Sequence, residues 1–171
     1  KAMMKRKAQM AGIRVGVFEE AESKEQVRKF FRRVNEALLK LDGESNYPVH
    51  LKPLDAAGCK GHRMIKEESK IEEIEDNEFP CLLETHLDGQ EFSCEVFIHK
   101  GKIKFLNITE YVKLGHSNFI PCSPELNERR GLIKKAVEEL IDAFGIEYGM
   151  IHPEYFITSD GKINFGEVAA R

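Results

Sequence analysis

The chain has 171 residues, enough for one good domain or two small lobes sharing a cleft, and burial of about 70% of the unfolded surface at this size makes staples unnecessary. A net charge of −3 provides no basic surface for nucleic acid or an acidic membrane, and no apolar run approaches the roughly 20 residues of a membrane span. With 42% hydrophobic and 32% charged residues, the composition is that of an ordinary soluble globular protein.

Residues 1–12 read as a short basic helix ended by Gly12. Ser23 opens a capping box with Gln26, and Val27, Phe30, Phe31, Val34, Leu38 and Leu41 follow at the spacing of an amphipathic helix ending near Gly43. Tyr47 to Pro53 reads as a short strand carrying Lys52, Ala56 to His62 as a small glycine-containing loop, and residues 66–78 as an acidic surface helix. Phe79–Leu87 is an apolar strand. Phe92, Cys94, Val96 and Ile98 alternate with polar residues, as do Ile103 and Phe105 after Lys100-Gly101, which predicts a hairpin of two half-buried strands. Residues 125–144 form a long helix with the stripe Leu132, Ile133, Ala136, Val137, Leu140, Ile141 and Phe144, capped by Gly145. The strands Gly149–Thr158 and Lys162–Val168 follow, joined through Asp160-Gly161. There are no repeats, and the order of elements implies an α+β fold.

The cysteines at 59, 81, 94 and 122 form no CxxC pair and have no zinc-type spacing. Cys81 and Cys94 lie in apolar runs, so buried free thiols in a reducing, cytoplasmic compartment are expected. The chain begins at Lys1 without methionine and stops just after a strand, and is read as a piece of a longer protein.

Asp-Gly between two apolar-periodic runs is a strong hairpin signal. With Asp160 and Gly161 as the loop, Glu154 and Glu167 face each other on one sheet face, together with Phe156, Phe165 and Ile163. Two opposed carboxylates repel unless a shared proton or a divalent cation offsets them. An exposed hairpin with two unrelated glutamates, or a register slip that separates them, is the other reading of the same residues.

The ending Gly149-Met150-Ile151-His152-Pro153-Glu154 … Asp160-Gly161 … Glu167-Val168-Ala169-Ala170-Arg171 resembles the C-terminal signature of ATP-grasp enzymes. The resemblance extends along the chain. Lys1 with Met4 resembles the start of the ATP-grasp region, and Pro48-Val49-His50-Leu51-Lys52-Pro53 the strand of the second phosphate lysine. Gly58-Cys59-Lys60-Gly61 is similar to the glycine loop that closes over phosphates. Leu82 to Ser93, with Glu84 and then Gly89-Gln90-Glu91-Phe92-Ser93, is similar to the hinge, and Gly115-His116 followed by Pro121 occurs in carboxylate–amine ligases of this group.

The resemblance implies an ATP-grasp fold, two α+β subdomains gripping ATP between antiparallel sheets, here residues 1–83 (lid and phosphate loop) and 84–171 (hinge and metal-binding strands). It implies ATP contacts from Lys1, Lys52, Gly58, Gly61, Glu84, Thr85, His86, Leu87 and Glu91, with the backbone of 84–87 meeting adenine and Glu91 the ribose. It assigns Mg²⁺ (or Mn²⁺) to Glu154 and Glu167, and catalytic roles to Lys52 on phosphates and Arg171 on the transferring phosphoryl group. There is no Walker-type G-x-x-x-x-G-K-[ST] motif. Two positions depart from the family pattern: Ala169 stands where many members have a metal-binding asparagine, and Gly166 where a bulky aliphatic residue is usual. His152 is read as a neighbour supporting Glu154, and His116 as a loop residue near substrate. Cys59 is the one doubtful nucleophile.

The implied activity is a carboxylate–amine ligase: ATP converts an acid to its acyl phosphate, and an amine displaces phosphate. An acid–thiol ligase or carboxylase, and a nucleotide-binding regulatory module without turnover, are the alternatives. The expected partners are ATP and a small-molecule acid and amine, with no nucleic acid and no membrane, and a homodimer is one option for the full-length protein.

Overall fold

The computed structural model describes residues 1–42, 47–55, 60–113 and 117–171. They form two compact units, residues 1–2 with 16–86 and residues 3–15 with 87–171. The first helix is therefore built into the second unit, where the sequence grouped it with the first.

In the first unit, strands β1 (Phe18–Ala21), β2 (Val49–Pro53), β3 (Arg63–Ile65) and β4 (Cys81–Thr85) form an antiparallel sheet in the order β1-β4-β2-β3. Helix α2 (Lys24–Asp42) covers one face. Its start keeps one half of the implied capping box, with Gln26 N–H donating to Ser23 Oγ at 3.4 Å, while the Gln26 side chain accepts from Glu22 N at 2.5 Å, one residue before Ser23, and not from Ser23 N–H. Val27, Phe30, Phe31 and Val34 are buried against Val49, Leu51, Ile65 and Leu83. The acidic stretch forms two 3₁₀ turns, Glu68–Glu73 and Asp76–Glu78, instead of an α-helix. Ile71 and Ile74, three residues apart, both enter this core, and a three-residue repeat matches the 3₁₀ period. Outside, Arg28 bridges Glu25 and Glu72, and Arg32 meets Glu68 at 2.6 Å.

The second unit is a sheet of β5 (Gly89–His99), β6 (Lys102–Lys113), β7 (Ser117–Phe119), β8 (Tyr148–Thr158) and β9 (Ile163–Ala170), ordered β7-β6-β5-β8-β9. Helix α4 (Arg130–Phe144) packs Ile133, Val137, Leu140 and Ile141 onto Phe92, Cys94, Val96, Ile108, Tyr155 and Phe165. Helix α1 (Ala2–Met10) adds Ala8 to the same core. The segment after it lies along β9, with a parallel bridge Val15–Phe165 and Phe165 N–H donating to Arg14 O at 2.8 Å.

The predicted helix 125–144 is two helices. Ser123 caps α3 (Pro124–Asn127), whose Leu126 is buried, and the chain re-enters α4 at Arg130, which donates to Leu106 O at 3.1 Å. Leu132 is exposed and drops out of the expected stripe. Gly145 ends α4 in the left-handed region at φ 65°, as expected. In β6 a register shift pairs Phe105 with Phe97 and Ile103 with Ile98, which turns Phe105 outward.

Candidate functional site

Along β5, β6 and β8, alternate residues point away from α4 and build a polar sheet face. Glu91, Ser93 and Glu95 of β5 lie on it, opposite Phe156 and Glu154 of β8 and Asn107 and Thr109 of β6. Glu154 pairs directly with Glu167 of β9. The expected opposition of the two carboxylates is therefore present, but the face differs from expectation. Tyr155 pairs with Phe165 and Ile157 with Ile163, so these residues join the core side, and it is Phe156 and Asn164 that share the carboxylate side.

Beside the pair, His152 is held from two sides. Its Nδ1 lies 3.0 Å from Glu95 Oε1, and Glu95 Oε2 accepts from Thr109 Oγ1 at 2.9 Å and Asn107 Nδ2 at 3.1 Å. Its Nε2 lies 3.5 Å from Glu154 Oε1 and 3.4 Å from the Tyr111 hydroxyl. The Glu154 carboxylate is the main cause that raises the His152 pKa above its ordinary value. A supporting position for His152 next to Glu154 is what the sequence suggested. Arg171 follows β9, its N–H donating to Met150 O at 3.0 Å and its side chain exposed.

The donor set suits a hard divalent cation. Among the described residues no group of three or more His, Cys, Asp or Glu side chains is placed to hold an ion, so these residues offer two opposed carboxylates and no closed cage. Mg²⁺ is commonly bound this way, through one or two carboxylates, water and substrate phosphates.

In the first unit the sheet face opposite α2 carries Lys52. Lys52 Nζ lies 2.6 Å from Glu84 Oε2, and Glu84 is buried at 6% exposure. The N–H groups of Thr85 and His86 donate to Val17 O at 2.9 Å and Pro48 O at 3.2 Å. Contacts from this segment to an adenine ring would therefore have to come from its other groups. Lys1 is half-buried in this unit, while Leu87 and Glu91 belong to the second. Gly61 has φ 70° and an added Cβ would come within 2.7 Å of Pro53 Cγ, so glycine is required there. Gly58, Cys59 and His116 lie outside the described residues.

On this same face the sequence reading missed a cluster. His50 Nδ1 lies 2.7 Å from His62 Nε2, and His50 Nε2 lies 2.9 Å from His86 Nδ1. Strand alternation from Lys52 back to His50 carried the only sequence signal for it. Burial, then the charges nearby, lowers the His50 pKa to about 4, and burial also lowers that of His62. The three described cysteines are buried, and burial pushes the Cys81 thiol up to about 11 and the Cys94 thiol up to about 12. Thiols so placed stay protonated and are poor nucleophiles.

A family model described as the ATP-grasp domain matches residues 45–171. N5-carboxyaminoimidazole ribonucleotide synthetase from Thermotoga maritima has a similar structure, with TM-score 0.75 and 19% identity, over 100% of this chain and 41% of that one. L-amino acid ligase from Bacillus licheniformis gives TM-score 0.70 and 22% identity, over 100% and 40%. N5-carboxyaminoimidazole synthase from Aspergillus clavatus, solved with ADP and 5-aminoimidazole ribonucleotide, gives TM-score 0.77 and 18% identity, over 99% and 43%. The chain thus spans less than half the length of each of these proteins. No curated protein matches the chain significantly. Structural likeness at such identities speaks for the fold alone, but the family model takes in most of the sequence, including Lys52, the segment 82–93 and both opposed glutamates: the chain belongs to the ATP-grasp domain family.

Proposed function

We propose that this chain is the nucleotide-binding part of an ATP-dependent ligase that activates a carboxylate as its acyl phosphate and joins it to an amine, releasing ADP and phosphate. The observation that carries the reading is the direct opposition of Glu154 and Glu167 on a polar sheet face, in a chain of this family. A carboxylate is a poor electrophile, and phosphorylation turns one of its oxygens into part of a good leaving group. Bound Mg²⁺ would neutralise charge on the transferring phosphate. Glu154 and Glu167 would hold the ion, with His152 and its Glu95 partner fixing the Glu154 side. Lys52 would meet phosphate oxygens as a point charge, and Arg171 would stabilise charge developing on the transferred group. Lys1, Gly58, Gly61, Glu84 to Leu87 and Glu91 complete the proposed nucleotide contacts. High thiol pKa values at Cys81 and Cys94 argue against an acyl-enzyme through either.

Ala169 favours a second reading. It is exposed on β9 two residues after Glu167 and offers no donor to a metal, which fits a regulatory module that binds nucleotide without turnover. Product analysis separates the two. The full-length protein, given acid, amine and MgATP, should release ADP and phosphate, and hydroxylamine should trap a hydroxamate when the amine is omitted. AMP and pyrophosphate as products would overturn the ligase mechanism, and nucleotide binding without any product would favour the regulatory module.

A further inference from the structure

We propose that His50, His62 and His86 form a proton-accepting relay on the nucleotide face of the first unit, so that binding of a phosphate-bearing nucleotide is coupled to uptake of a proton by these three rings. The proposal rests on the nucleotide-binding reading above.

The geometry comes first. Three imidazoles are joined end to end by two N···N contacts of 2.7 and 2.9 Å, with ring centroids 5.0 and 5.2 Å apart. Each such contact needs one proton between its two nitrogens. Two arrangements satisfy both contacts with every ring neutral: His62 donates to His50 and His50 to His86, or both bonds run the other way. In each arrangement the outer ring at the donor end has a free nitrogen; a proton taken up there passes along both bonds and one is released from the other outer ring, which converts one arrangement into the other without any side chain moving. The middle ring is half-buried and the His86 ring is exposed, so the relay runs from a partly dry sheet face to solvent.

The charged neighbours decide when the relay is loaded. On β2, Lys52 stands two residues from His50 on the same face. On β4, Glu84 is paired in register with His50 and ion-paired with Lys52. Lys1 also acts on His62. Burial and the cations oppose a positive ring, and Glu84 favours one. At neutral pH the middle ring, His50, whose pKa burial lowers to about 4, is uncharged. A nucleotide whose phosphates meet Lys52 brings negative charge to this face, offsets the lysine and favours an imidazolium. By linkage, such a ligand takes up protons on binding, and its affinity rises as pH falls from neutrality toward the resting pKa of His50.

The test is calorimetric titration of the 171-residue chain with MgADP at pH 6.5, in two buffers of different ionisation enthalpy, repeated with His50→Asn and His86→Asn and with adenosine as the uncharged ligand. The wild-type chain should take up more protons per MgADP than either variant, by about half a proton or more, and adenosine should show no such difference. His86 is exposed, so its variant keeps the test valid if His50→Asn fails to fold. In NMR titrations the ring signals of His50 and His62 should move to higher pKa together when MgADP is bound. MgADP binding with equal proton uptake in all three proteins overturns the relay while leaving the nucleotide reading intact. Absence of any MgADP binding overturns the nucleotide reading, and the relay with it.

Discussion

Glu154 stands directly across from Glu167 because two one-residue irregularities cancel. The turn closes with Thr158 N–H on Lys162 O at 3.1 Å, leaving Ser159, Asp160 and Gly161 as the loop, one residue more than the Asp-Gly pattern suggests. That shift would set Glu154 one residue out of step with Glu167. A register shift between Glu154 and Tyr155 restores the alignment, with Gly166 as the extra residue on β9.

This bulge explains the glycine at 166. A Cβ there would lie 3.0 Å from the carbonyl oxygen of Glu154 and 3.5 Å from Phe156. Gly166→Val should force the two strands apart, lower the thermal midpoint, and reduce the stabilisation by Mg²⁺ with nucleotide more than the loss of stability alone accounts for. A midpoint and metal response equal to wild type would show that the bulge is not needed for the pair.

The opposed carboxylates repel without metal, so Mg²⁺ or Mn²⁺ with nucleotide should raise the thermal midpoint by mass action. Glu167→Gln should raise the midpoint of the metal-free protein slightly and remove most of the metal-dependent gain. Thermal scans at fixed nucleotide across a metal series check both signs, and an undiminished gain in the variant would remove Glu167 from the metal site.

Lys52→Ala should weaken nucleotide binding by about 1.5–3 kcal/mol, roughly 13- to 160-fold, the range for a lost charge-assisted hydrogen bond. It also takes a partner from buried Glu84, so the midpoint should fall as well. Lys52→Arg, which keeps the charge, should recover most of the stability. Calorimetry on both variants separates the effects, and unchanged affinity in Lys52→Ala would end the phosphate assignment.

The stability of the first unit should depend on pH through His50. Its folded pKa, about 4, lies below the unfolded value of about 6.5, so the unfolded state binds more protons between these values. Stability should therefore fall as pH drops from about 6.5 to about 4 and level off below. His50→Asn should flatten that slope in denaturant titrations at several pH values, and an unchanged slope would show that other groups carry it.

What the sequence made legible follows from the strength of its periodic signals. Helix α2 was readable because Ser23-Gln26 and the apolar spacing agree, and Phe92 to Ile98 because strict alternation leaves one interpretation. β1, β3 and β7 escaped notice because three or four residues, mostly polar on their open faces, carry no period. Phe165 was assigned to the wrong face because the extra residue at Gly166 breaks the alternation between it and Glu167, and nothing local announces it. The glutamate pair was still placed opposite, since the longer turn and the bulge offset each other. The histidine relay was invisible because its members come from three separate segments and meet only through the β2–β3 and β2–β4 pairings.

Residues 16–86 leave and rejoin the rest of the chain at neighbouring points. Thr85 N–H donates to Val17 O at 2.9 Å, and Val17 N–H donates back to the Thr85 hydroxyl at 3.1 Å. A segment whose two ends are clasped in this way is a cassette: it could be excised and bridged by a few residues, or exchanged for another of the same span. Its sequence is then free to change as a block, at a rate of its own, and the face that bears Lys52 and the three histidines would travel with it.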